Sequence, residues 1–142
     1  MFAIFNRLNL PIISVSFTGN NLTDELFQNF LQEWNNCDEM KVPYSYYFDT
    51  TTGMGNPKLK YAFGMAAFIK KKKKEKEKYL QHSIIYVTSR RTYLLLRMIF
   101  NLSSPIAPVY IVQENTPEFN ELLNSALINN TKLPPNILKF VP

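Results

Sequence analysis

From residue 12 onward, short strand-like runs alternate with helix-length amphipathic ones, and no other feature of the chain limits its fold as tightly. Strands separated by helices need crossover connections, and these build a largely parallel sheet with helices packed on it. The strand-like runs are Phe2 to Phe5, Ile12 to Phe17, Tyr44 to Phe48, His82 to Val87 and Pro108 to Val112. His82 to Val87 is the most strand-like and apolar enough to be central in the sheet. Ile13-Ser14-Val15-Ser16-Phe17 alternates instead, which turns one face to a core and one to water.

Four helices fit between and after these strands. The first runs from about Leu22 to Trp34, with Leu26, Phe27, Phe30, Leu31 and Trp34 on one face, Asn21 as cap and Asn35 to Asp38 as its end. A second starts at Asn56-Pro57, a side-chain cap followed by a first position that needs no N–H, and buries Leu59, Ala62, Phe63, Ala66 and Ile69. A third, capped by Thr88 or Ser89, turns Tyr93, Leu94, Leu95, Met98, Ile99 and Leu102 inward. A fourth repeats the cap-and-proline start at Thr116-Pro117 and buries Phe119, Leu122, Leu123, Ala126 and Leu127. Leu133 to Pro142 contains Pro134-Pro135 and no helical period, so it reads as an extended tail. The expected architecture is one α/β domain over residues 1–128, with a mixed, mostly parallel sheet of about five strands and about four helices, followed by a proline-containing tail over 129–142.

Composition narrows the chemistry. With 142 residues the chain is one domain by length, enough to bury roughly two-thirds of its unfolded surface. The single Cys37 leaves no partner for an internal disulfide or a cysteine zinc site and points to a reducing, intracellular compartment. One histidine, His82, excludes a His-rich metal centre, so neither metal nor cofactor is expected. No segment reaches the ~18 apolar residues of a membrane span, and Met-Phe-Ala-Ile-Phe-Asn-Arg does not read as a secretory signal. The formal charge of +5 arises mainly from Lys70 to Lys74 with Lys76 and Lys78. Glu75 and Glu77 interrupt that run, which reads as a solvated helix end; nucleic acid is not the expected partner. Cys37 adjoins Asp38 and Glu39, whose charge would raise a thiol pKa, the wrong direction for a nucleophile. No catalytic constellation is found, and the chain is not expected to be an enzyme.

The stretch Tyr44 to Pro57 organises the rest: a mostly buried strand, a polar loop with Gly53 and Gly55, and a helix start. Sites in α/β sheets gather at such carboxyl ends of strands. Phe48-Asp49 followed by Thr51-Thr52-Gly53-Met54-Gly55 resembles the STAS domain of anti-sigma-factor antagonists, where a strand ending in Asp leads to Ser-Ser-Gly-Leu-Gly and a helix. The similarity extends over roughly residues 1 to 128 in element order and length. One extra residue separates Asp49 from Thr51-Thr52-Gly53, and Asn56-Pro57 sets the helix start later than in the family.

The resemblance implies a non-enzymatic protein-interaction module. Its phosphoacceptor candidates are Thr51 and Thr52, and its partner-binding surface comprises Asp49, Thr50, Gly53, Met54, Gly55 and Asn56. The implied partner is a kinase-like regulator. Arg90 and Arg91, at a helix start where cations oppose the dipole, are candidates for an anionic partner. A structural subunit of a larger assembly, such as a virion component, is the alternative, with neighbours in the assembly as partners. A third class, binding of a small apolar ligand, would be supported by a cavity under the second helix.

Overall fold

A computed structural model describes residues 1–55 and 57–142. Six strands form one sheet: β1 (Ala3–Asn9), β2 (Ile12–Phe17), β3 (Tyr44–Asp49), β4 (Leu80–Tyr86), β5 (Val109–Val112) and β6 (Leu138–Phe140). Four helices accompany them: α1 (Asp24–Glu39), α2 (Leu59–Lys73), α3 (Arg90–Leu102) and α4 (Pro117–Asn129). Spatial order equals chain order, β1 to β6. β1 and β6 pair antiparallel with their neighbours, and β2, β3, β4 and β5 run parallel. The chain is therefore α/β with a mostly parallel sheet, as the alternation of periods predicts.

Right-handed crossovers that always step the same way along a sheet leave their helices on one face. Accordingly, α1, α2 and α3 share one core with the inward residues of every strand. It includes Phe30, Trp34 and Cys37 from α1, and Tyr44, Tyr46 and Phe48 from β3. Trp34 sits edge-on to Tyr46, with ring centroids 4.7 Å apart. The other face carries a smaller cluster in which Phe119 and Leu123 of α4 pack on Ile84, Tyr110 and Val112.

The first helix differs from its expected limits at both ends. Thr23, not Asn21, is the cap, and its Oγ1 accepts the N–H of Leu26 at 3.2 Å. Asn35 to Asp38 do not end the helix. They have weak helix propensity, costing up to ~0.7 kcal/mol each, but Cys37 extends the buried face of Phe27, Phe30 and Trp34 and is fully buried itself. Asp38 is held from two sides, by the Tyr44 hydroxyl at 2.6 Å and Lys72 Nζ at 2.7 Å. Tertiary contacts outweigh local preference there.

The second helix begins at Leu59 with Lys58 as an N-cap that makes no side-chain bond, so Pro57 precedes the cap rather than occupying the first turn. Asn56, expected to cap it, lies outside the described residues. Its buried face is Tyr61, Ala62, Ala66, Ile69 and Lys72, whereas Leu59 and Phe63 are exposed. A Cβ on Gly64 would come within 2.9 Å of the Phe27 ring, so glycine lets α1 and α2 approach closely.

On the third helix Ile99 is buried and Tyr93, Leu95 and Met98 are half-buried against the core as expected, but Thr92 and Leu96 are buried as well, and Leu94 and Leu102 face out. Leucines on several sides give no single stripe, and packing chooses the face. The fourth helix keeps its expected start, Thr116 Oγ1 accepting the N–H of Phe119 at 3.2 Å with Pro117 in the first turn, although Leu122 is exposed. Part of the tail becomes structure: Leu138–Phe140 adds a sixth strand beside β5, and Phe140 packs on Phe100 of α3 with ring centroids 5.1 Å apart.

Candidate functional site

Parallel strands β2 to β5 all end at the same edge, and each is followed there by a loop and a helix start. The candidate residues gather at this edge. β3 delivers Asp49, whose Oδ1 accepts the backbone N–H of Thr51 at 2.9 Å and the Thr51 hydroxyl at 2.5 Å. That is local turn bonding of an Asp to residues just after it. Thr50 points the other way: it is 3% exposed, and its hydroxyl donates to the Tyr86 carbonyl at 2.7 Å, beside its own N–H at 3.2 Å. Thr50 thus pins the loop to β4 and is no part of an accessible surface.

Thr51 and Thr52 are exposed. Gly53 closes the turn by donating its N–H to the Thr50 carbonyl at 2.9 Å, with φ of 90° that a side chain would resist. Gly55, also at positive φ, lies so close to Asn20 that a Cβ would stand 3.0 Å from its carbonyl oxygen. The loop after β3 therefore rests on the loop after β2. Met54 is half-buried, packed against the main core.

The helix starts are tied together beside this loop. Asp24 Oδ1 of α1 takes the Tyr61 hydroxyl at 2.8 Å and Lys60 Nζ at 2.9 Å, both from α2. The bond from Lys60, then that from Tyr61, holds the Asp24 carboxyl below its usual pKa. Arg90 and Arg91 open α3, after the strand next to β3, so they share the edge with Thr51 and Thr52. Both are exposed, and neither forms an ion pair among the described residues.

Elsewhere the polar candidates serve the fold. The lysine run is not wholly solvated: Lys72 is 6% exposed and bridges Asp38 at 2.7 Å and Glu75 at 3.2 Å. Burial opposes its charge, but the two carboxylates win and hold its pKa above the ordinary lysine value. Lys73 bonds to the Ser104 hydroxyl. The Cys37 thiol is pushed up in pKa, first by burial and only in a minor way by Asp38. The direction is the one expected from its sequence neighbours, while the main cause is its position under the sheet. Among the described residues no three metal-ligating side chains come together, and no helix is long and apolar enough to cross a membrane.

Of the predicted site residues, Thr50 and Met54 also border an apolar cavity. It lies between α1, α2, α3 and the sheet, has a volume of about 120 Å³, and is lined by Phe30, Trp34, Phe48, Ala62, Met65 and Leu96 among others. Its wall includes Thr50, Met54 and Pro57, the inner side of the threonine loop. No motif marks it, because its lining consists of ordinary apolar stripes from separate elements.

No protein-family model matches the chain, and no match is found among curated proteins or solved structures.

Proposed function

We propose that the chain is a non-enzymatic protein-interaction module of STAS type, whose partner meets the loop Thr51 to Gly55 at the carboxyl edge of the sheet. The observation that carries this reading is the division of labour within three consecutive threonines. Thr50 is locked inward on Tyr86, while Thr51 and Thr52 are presented outward on a loop fixed by Asp49 and two glycines. The order of elements through α4 is the one the resemblance implies, which supports the assignment. The partner is a kinase-like regulator. A phosphoryl group on Thr51 would meet the Asp49 carboxylate that now accepts its hydroxyl, and like charges at that distance would open the turn. On Thr52 the same group would add charge without breaking that bond, at an edge that also carries Arg90 and Arg91.

The test is co-purification from native cells, with mass spectrometry of the bound chains and of the loop peptide. The paired change Thr51→Ala and Thr52→Ala is expected to weaken partner capture at least tenfold while leaving the melting temperature within a few degrees. Unchanged capture would sink the reading.

A second reading, a structural subunit of an assembly such as a virion, is favoured by a different observation. Ile4, Leu8, Leu10 and Ile12 on and between β1 and β2 are large apolar residues exposed by 44% or more. Recovery of a stoichiometric multi-protein particle with unmodified threonines would decide for it.

A further inference from the structure

We propose that the cavity beneath α2 is a binding site for a small, uncharged, mostly hydrocarbon molecule in the size range of benzene to indole. No carboxylate or cationic side chain lines it; of the three hydroxyl-bearing residues on its wall, Thr50 donates to the Tyr86 carbonyl, Tyr61 donates to Asp24, and the third is Ser83. A charged occupant would lose its hydration with nothing to replace it, whereas an apolar one gains by leaving water. The volume, about 120 Å³, is near the ~150 Å³ of an engineered apolar cavity in another protein that stays dry and admits benzene.

One feature goes beyond a packing fault. Met54 and Met65, unbranched and adaptable, stand on the wall and can adjust to an occupant's outline. Trp34, also on the wall, is buried. Because Thr50, Met54 and Pro57 complete the lining, an occupant rests against the back of the loop that carries Thr51 and Thr52. The site stands independently of the interaction reading, since its test contains no protein partner.

Trp34 is the single tryptophan of the chain, so its emission reports directly on the cavity. The full chain is titrated with benzene, and in parallel with benzoate as a charged ring of similar size. Benzene is expected to give a saturable change in Trp34 emission and a higher melting temperature, and benzoate neither. Ala62→Leu, which fills the cavity from the α2 side, is expected to weaken benzene binding at least tenfold. Ala107→Val fills it from beside β5 and serves if the first variant does not fold. No saturable response to benzene, an equal response to benzoate, or undiminished binding in a folded cavity-filled variant overturns the proposal.

Discussion

The two faces of the sheet are covered unequally. Three helices seal one face from β1 to β6, whereas α4, with Leu133 and Ile137 after it, covers the other over β4, β5 and Tyr47 of β3. The strands record this difference. In β5 all four residues are buried, and in β4 three successive ones are, because helices lie on both sides. β2 alternates strictly between exposed and buried residues because one side meets water. A continuous apolar strand and an alternating one can thus belong to one sheet, and the contrast locates the bare part of its surface.

The largest expected effect comes from the sealed face. Trp34→Ala should cost about 4 kcal/mol and Leu123→Ala, under the single helix, about 3 kcal/mol, read as shifts of the urea midpoint. A reversed order would mean that α4, not the three-helix layer, holds the core.

A smaller effect concerns His82, on the thinly covered face, where burial holds its pKa below the ordinary value near 6.5. Its Nδ1 lies 3.2 Å from the Ser45 hydroxyl, and its ring meets Tyr110, over which Lys139 lies. Below the ordinary value the unfolded chain takes up a proton that the folded chain refuses. Stability present above that pH is therefore lost as pH falls toward the folded pKa. His82→Gln should flatten this leg of the stability curve between pH 7.5 and 5.5, and an unchanged slope would place the titrating group elsewhere.

The smallest effect belongs to the bare half. Ile12→Ser should move stability by no more than about 0.5 kcal/mol. A loss as large as that of Leu123→Ala would show that another molecule covers β1 and β2 in solution.

What was legible in the sequence follows the same division. Periodicity revealed five of the six strands, the four helices and the mostly parallel sheet, since these patterns are local, although β1 runs on past Phe5 to Asn9. The extension of α1 through Asn35 to Asp38 was not legible, because Cys37 and Asp38 are held by the sheet and by Lys72. β6 escaped because three residues behind Pro134-Pro135 are too few to show a period. Of the site, the loop Asp49 to Gly55 could be read from its glycines and threonines. The inward turn of Thr50 could not, since it depends on the Tyr86 carbonyl 36 residues away. A cavity under the second helix was named from fold analogy alone, and its lining could not be read for a related reason: an apolar residue facing a hole and one facing a neighbour look alike.

Because strand order equals chain order, each strand pairs with the strand next to it in the chain, and the most distant registered partners in the parallel region, such as Asp49 and Tyr86, are about 37 residues apart. The entropy of closing a loop rises only slowly with its length, so these closures are modest and similar to one another. No strand has to be inserted between two that have already joined. The sheet can grow by successive addition from one side, a route that avoids the slow, long-range closures of more entangled β topologies.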